Sequence, residues 1–386
     1  MHILLIVPEY PPHHIGGGGE VYEQLAKQYS KSGHKVTVIF GQYKSNSLRE
    51  PLKVYEDQGI TFYEIPEIPY PKSMPNLRTA MPMVPSKARE LKKIIKDLKP
   101  NVAHIHGYGW PFVNQLASIC MKLHIPYVYT LHGYPETQEK ANMVLRLAWR
   151  VFEKVYQERS LRNASWVTAI SDFVKNDPRN IAVQKSTTIY NGIDLEKHAY
   201  PGNTINVHEI HNVGAETLLF YSLGRLAEMK GFQNIIRLIP ILMSQGIDIK
   251  YIVAGEDDGY LSELQALVKA LNLEGQVEFV GQHDLNTKLQ YINQCDFFVV
   301  PSIWEPFGLI ALEGAIFNKP IITSEAGGLA EVLAGYPNKI SLSEPDIATS
   351  IKNFHPSEAL FDLSRFDWKK ISKQYLALLE KAATNE

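Results

Sequence analysis

Arg225 and Lys230 stand five residues apart, one at the end of the apolar run Leu218–Leu223 and the other at the mouth of the helix that follows. Each adjoins a glycine, in Gly224-Arg225 and Lys230-Gly231. A guanidinium fork and an ammonium point charge over one strand end suit a diphosphate. Two solvated surface cations are the plainer alternative. Farther on, Glu305-Pro306-Phe307-Gly308-Leu309-Ile310-Ala311-Leu312-Glu313 follows the strand Phe297–Pro301 and opens a helix. The N–H groups of Phe307, Gly308 and Leu309 fall at the helix start, where an anion or sugar hydroxyls can meet them. Glu313 comes two turns after Glu305 among apolar neighbours. A carboxylate buried there is costly unless it accepts hydrogen bonds, and the vicinal hydroxyls of a ribose would donate them. A helix-dipole partner for Glu305 and a buried ion pair for Glu313 are the structural alternatives.

Two further features sit near the start of the chain. Gly16-Gly17-Gly18-Gly19 lies between the first strand and the first helix. Backbone N–H groups there can approach a phosphate at the positive helix end, or the run is only a pliant turn. His132 ends the strand Tyr127–Leu131, and His104 and His106 end Val102–His106. A histidine in such a place is more often a polar cap.

These residues need a scaffold that gathers strand ends. Strands are expected at Ile3–Val7, Lys35–Phe40, Ile60–Ile65, Val102–His106, Tyr127–Leu131 and Trp166–Ile170, with helices between several of them. The first helix, about Glu20–Lys31, aligns Val21, Tyr22, Leu25, Ala26 and Tyr29 on one face and stops at Gly33. A polar stretch at Leu195–Glu216 follows, and a second series runs through Leu218–Leu223, Ile249–Ala254, Val277–Val280, Phe297–Pro301 and Pro320–Thr323. Such alternation means parallel sheets covered by helices. Two α/β domains are expected, 1–190 and 191–365, with a last helix in 366–386 crossing back onto the first. Ligands of such sheets bind beyond the carboxyl ends of the strands.

The chain of 386 residues is 45% hydrophobic and 21% charged, which excludes a disordered or fibrous protein. Its net charge of -2 argues against a nucleic-acid binder. Cys120 and Cys295 cannot make a disulfide framework and are read as core thiols. The apolar start His2–Pro8 lacks the flanks of an export signal and is too short to span a bilayer, so a cytoplasmic protein is expected.

Together, Gly16-Gly17, Gly33-His34, Asn191-Gly192-Ile193-Asp194, Gly224-Arg225 with Lys230-Gly231, Val280-Gly281, Pro301-Ser302, Glu305-x7-Glu313 and Gly327-Gly328 resemble family 4 of the retaining glycosyltransferases, in order from residue 1 to about 335 and again over Phe366–Leu379. The resemblance implies a GT-B fold, two facing Rossmann-like domains with a cleft between them, the nucleotide sugar on the second and the acceptor on the first. It makes Arg225 and Lys230 the diphosphate clamp and Glu313 the ribose ligand. Glu305 becomes the donor-sugar contact, Gly17 the glycine over the phosphates, Gly281–His283 the base-binding stretch and His132 the active-site histidine.

The activity so implied is transfer of a sugar from a UDP- or GDP-sugar to a glycan, lipid-linked or small-molecule acceptor, with retention and with no metal or other cofactor. No Asp-x-Asp follows a strand, HExxH and CxxC are absent, and Asp257-Asp258 reads as a solvated turn. A GT-B sugar-nucleotide epimerase would need acid/base carboxylates in the first domain. An inactive scaffold would not need the intact Arg225, Lys230, Glu305 and Glu313 set. Peripheral membrane contact is a further expectation. Lys87, Lys92, Lys93 and Lys96 of the helix Ser86–Lys99, with Met74, Leu77, Met81, Met83 and Val84 of the loop Pro66–Pro85, would meet an anionic inner membrane face. The same helix's stripe of Leu91, Ile94, Ile95 and Leu98 faces the core in the plainer alternative.

Overall fold

The structure, a computed structural model, describes residues 1–12, 17–42, 51–66, 87–134, 143–177, 185–198 and 204–384. The chain packs as two units, Met1–Gly192 with Phe366–Glu386, and Ile193–Arg365.

The first unit is built on an eight-stranded sheet: β1 (His2–Ile6), β2 (Lys35–Gln42), β3 (Lys53–Asp57), β4 (Ile60–Pro66), β5 (Val102–His106), β6 (Tyr127–Leu131), β7 (Trp166–Ala169) and β8 (Ser186–Thr188). Their spatial order is β3-β4-β2-β1-β5-β6-β7-β8, with every pair parallel except β3 on β4. The central strands are continuous apolar runs because both sheet faces are covered. The order reverses between β1 and β5, so the loops after these strands flank the point where α/β sheets bind ligands.

Helix α1 (Gly18–Lys31) buries Val21, Tyr22, Leu25, Ala26 and Tyr29, the face expected from its periodicity. The C-terminal helix Trp368–Thr384 packs beside it, against β5 and β6. It reaches this unit through Gly192, where an added Cβ would lie 2.5 Å from the Trp368 indole. Helix α2 (Ala88–Leu98) packs on α3 (Pro111–Lys122). In turn α3 lies against the end of a run formed by α4 (Met143–Phe152), a π-helical turn (Glu153–Gln157) and α5 (Glu158–Arg162).

The second unit holds a parallel six-stranded sheet: β9 (Leu218–Leu223), β10 (Ile249–Ala254), β11 (Val277–Phe279), β12 (Phe297–Val300), β13 (Ile321–Thr323) and β14 (Lys339–Ser341), in the order β11-β10-β9-β12-β13-β14. Here the reversal falls between β9 and β12. Helices α6 (Phe232–Ser244), α7 (Leu285–Gln294) and α8 (Leu309–Ile316) follow β9, β11 and β12. Within the polar stretch Leu195–Glu216, His198 and Val207 are both buried. Cys120 and Cys295 are buried free thiols.

Candidate active site

In the second unit the strand ends converge because their glycines let backbones touch. Gly255 N–H donates to the Gly281 carbonyl at 2.7 Å, joining the ends of β10 and β11. A Cβ on Gly255 would lie 1.8 Å from the Gly224 carbonyl oxygen, so only glycine admits β9 and β10 this close. Leu226 N–H donates to Glu256 and Asp258 N–H to Leu226, which sets the loop after β10 against Arg225. Arg225 Nη1 is hydrogen-bonded to Asp258 Oδ2. The turn is solvated at Asp257, as expected, but not at half-buried Asp258. Asp257 caps the N–H groups of Gly259, Tyr260 and Leu261, and Asp258 neutralises Arg225.

Lys230 closes a 3-10 turn, Glu228–Lys230, whose Met229 carbonyl accepts from Ile303 N–H at 2.8 Å. That bond ties the loop after β12 to the loop after β9. It brings Lys230 Nζ within 2.7 Å of Glu305 Oε2. Gly308 caps α8 with φ +97°, a left-handed conformation that a side chain disfavours, and a Cβ there would strike Leu329 at 2.4 Å. Phe307 is buried and Leu309 half-buried, so both are framework at the helix start. The two loops at the reversal of the sheet thus carry Arg225 and Lys230 on one side and Glu305 on the other.

Glu313 is one turn into α8 and 7% exposed. Its Oε1 accepts from Lys288 Nζ on α7 at 2.7 Å and lies 3.3 Å from His198 Nε2. His198 Nδ1 faces the Asp194 carbonyl at 2.7 Å, so both ring nitrogens meet acceptors, as an imidazolium requires. Burial alone would lower the His198 pKa, but the hydrogen bond and charge of Glu313 outweigh it and raise the pKa. Burial likewise pushes Glu313 up, and His198 with Lys288 pulls it below the usual carboxylate value. Glu313 Oε2 is buried with no hydrogen-bond partner among the described residues. One oxygen centres an ion pair, the structural alternative, and the other is a buried acceptor.

Gly281 is exposed beyond β11, and His283 is half-buried with Nδ1 3.0 Å from the Tyr221 hydroxyl. Burial lowers the His283 pKa.

In the first unit, Gly17 is exposed at the start of α1, and its carbonyl accepts from Val21 N–H. Gly16 lies outside the described residues. His132 follows β6, half-buried, with Nε2 2.8 Å from His106 Nδ1. Burial lowers its pKa to about 4. His104 and His106, which read as strand-end caps, are fully buried behind it. Sequence reasoning missed His106, Lys288, His198 and Asp258 as partners of the site residues. Each pairs across a long sequence separation, and no local pattern marks such pairs.

The membrane expectation divides. In α2, Leu91 and Ile95 are fully buried, so that stripe belongs to the core and cannot enter a bilayer. The loop residues Met74, Leu77, Met81, Met83 and Val84 lie outside the described residues. Among the described residues no helix is long and apolar enough to cross a membrane.

Comparison with known proteins gives two family matches that between them span most of the chain. The model for Glycosyltransferase Family 4 matches residues 15–197, and the model for Glycosyl transferases group 1 matches residues 204–354. An uncharacterized glycosyltransferase of Methanocaldococcus jannaschii is 28% identical over 88% of this chain and 84% of its own. Sucrose-phosphate synthase from Thermosynechococcus elongatus superposes with a TM-score of 0.74 over 100% of both chains at 20% identity. Anabaena HepE, solved in complex with UDP, gives a TM-score of 0.68 at 18% identity over 99% of this chain and 100% of that one.

Proposed function

Because the chain belongs to the group 1 glycosyltransferases and has their GT-B fold, we propose that it transfers a hexosyl unit from a nucleoside-diphosphate sugar, with retention at the anomeric carbon and without a metal. The observation that carries the reading is Glu313 Oε2, a buried acceptor with no partner among the described residues, on the helix that follows β12 at the sheet's reversal point. Leaving such an oxygen unpaired costs about 1–3 kcal/mol, more for a charge. Two ribose hydroxyls would remove that cost.

The other assignments follow outward from it. Arg225 and Lys230 take the diphosphate, exchanging Asp258 and Glu305 for phosphate oxygens. Glu305, released from Lys230, turns to the donor sugar with the N–H groups at the start of α8. Gly281 and His283 line the base. The bond from the anomeric carbon to the diphosphate oxygen breaks, and negative charge grows on the diphosphate, where fixed cations lower the barrier most. The leaving phosphate oxygen takes the acceptor's hydroxyl proton on the same face as the new bond forms, which gives retention. The HepE complex supports UDP as the nucleotide. A glycan, lipid-linked or small-molecule acceptor each fits this chemistry. A lipid-linked one at the inner membrane face gains support from the exposed Met143, Leu147 and Val151 of α4, with exposed Arg146 and Arg150 beside them.

Calorimetric titration with UDP, GDP and ADP tests the donor side. We expect one nucleotide to bind, and Glu313→Gln to weaken it about tenfold or more. Proton NMR of the first product, made from the matching α-linked donor, should show an α-anomer. Failure of all three nucleotides to bind would overturn the donor assignment, and a β-anomer would overturn retention.

A further inference from the structure

The three histidines of the first unit form one hydrogen-bonded series. His132 Nε2 lies 2.8 Å from His106 Nδ1, and His106 Nε2 lies 3.2 Å from His104 Nδ1. His104 Nε2 lies 2.7 Å from Thr130 Oγ1, which is 2.7 Å from Thr168 Oγ1. Strand pleating places His104 and His106 on one face of β5, and β6 pairs alongside and delivers His132. The nitrogens point at one another in a line and do not converge on a centre. Among the described residues no group of side chains could hold a metal ion.

The direction of the series is decided at its buried end. Tyr29 is fully buried, and its hydroxyl lies 3.0 Å from His104 Nδ1. No other partner for this hydroxyl occurs among the described residues. Burial raises its pKa, so it keeps its proton. A buried O–H without an acceptor is costly, so His104 Nδ1 must be the acceptor. A neutral imidazole then carries its hydrogen on Nε2, aimed at Thr130. His106 Nε2 faces the same lone pair on His104 and must be an N–H, sharing that acceptor with Tyr29. His106 Nδ1 is left bare and accepts from His132 Nε2–H. Burial keeps all three rings neutral, with pKa values lowered to about 3 for His104, about 4 for His132 and well below the usual value for His106. Tyr22 packs edge-on against both His106 and His132, at 5.2 and 5.3 Å between ring centres.

We infer that Tyr29, His104 and His106 are positioning residues that hold His132 as its Nε2–H tautomer and leave Nδ1 as a lone pair that accepts a hydrogen bond from a substrate hydroxyl. His132 Nδ1 has no protein partner among the described residues. The tautomer rests on the hydrogen-bond geometry and on the neutrality that burial imposes on the three rings, and the substrate hydroxyl rests on the function proposed above. An opposite tautomer would aim an N–H at that hydroxyl and ask it to accept. Tyr29 is thus coupled to the reacting side of His132 through two intervening rings.

Ring nitrogen NMR on histidine-labelled protein near pH 7.5 tests this, with His132 assigned through His132→Asn. We expect a protonated Nε2 and a bare Nδ1 at His132. In Tyr29→Phe the series loses its fixed direction, so His132 should show both tautomers. Turnover should fall about tenfold, with the donor KM nearly unchanged. His106→Leu, which removes the acceptor outright, gives the same readout if Tyr29→Phe fails to fold. A protonated Nδ1 or a mixture in the unsubstituted protein overturns the inference, and so does an unchanged His132 spectrum in whichever variant folds. Undiminished turnover in His132→Ala would instead remove His132 from the proposed reaction and leave the tautomer result standing.

Discussion

At Glu313 one carboxylate divides its two oxygens between folding and binding. Removing its charge leaves half-buried Lys288 beside an amide, and breaking a pair of which only one partner is fully buried costs less than the about 3–5 kcal/mol of a fully buried one. Glu313→Gln should therefore lower the melting temperature as well as weaken nucleotide binding. His198→Phe should lower it while leaving Oε2 and nucleotide affinity nearly intact. The pH dependence of that loss has a definite sign. His198 has a raised pKa, so its contribution is full below pH 6.5 and disappears as pH rises through the folded value. Glu313 has a lowered pKa, so its contribution is present above pH 4.5 and disappears as pH falls through its folded value. Melts of His198→Phe against the parent protein should differ more near pH 6 than near pH 9. Arg225 and Lys230 behave differently. Their ion pairs are partly exposed and contribute about 0–1 kcal/mol to folding. Alanine at either position should leave the melt almost unchanged yet cut kcat/KM by about tenfold or more. Type and motif made these two cations and both glutamates visible in the sequence. Asp258, Lys288, His198 and His106 were not visible, because each acquires its role only when a distant strand or helix is laid beside it.

Elements differ in how openly the sequence declares them. Strands such as β1 and β5 are buried along their whole length and read as unbroken apolar runs. Edge strand β3, KVYED, is exposed at every position and reads as loop. β8 and β14 have three residues each and show no periodicity. The amphipathic helices invite a sharper error. The stripe of α2 is real, but the core has already taken it. On α4 and the π-helical turn after it, the residues every four positions, Met143, Leu147, Val151 and Val155, are exposed, Met143 by 77% and Leu147 by 63%. Exposed Arg146, Arg150 and Lys154 run beside them. Over residues 143–162 five cations stand against two carboxylates, in a chain whose net charge is -2. Apolar side chains flanked by cations match an anionic bilayer surface, each cation there contributing about 1 kcal/mol. The protein should float with vesicles containing anionic lipid at low salt and remain behind with neutral ones. Leu147→Gln combined with Val151→Gln should abolish flotation without changing nucleotide binding. Remaining behind with both kinds of vesicle would remove membrane contact from the functional picture.

Over the whole molecule the chain leaves the first unit at Gly192 and returns at Phe366, so one unit is continuous in sequence and the other is not. The double series of strands made two domains legible. The return was legible only as a helix left over after the second series had ended, and its docking depends on contacts far from it in sequence. Trp368 fills the space above Gly192, and Tyr375 lies 4.9 Å from the His104 ring. Trp368, Ile371, Tyr375, Leu376 and Leu379 are all buried against the first unit. At about 2 kcal/mol for each large side chain removed from water, these five contribute about 10 kcal/mol. That is comparable to the entire stability of a domain, about 5–15 kcal/mol. That burial is a gross figure, before the entropy of ordering the helix is subtracted, and on it we expect the first unit to need the helix in order to fold. A chain ending at Arg365 should keep one cooperative melting transition, that of the second unit, and should bind the nucleotide through Arg225, Lys230 and Glu313. It should lose the transition of the first unit and all sugar transfer. Residues 193–365 expressed alone should melt at the temperature of that surviving transition, because their sheet and core contain nothing from the returning helix. Calorimetry on the two truncations beside the full chain checks both statements. Two intact transitions in the chain ending at Arg365 would show that the helix only decorates a core that is complete without it.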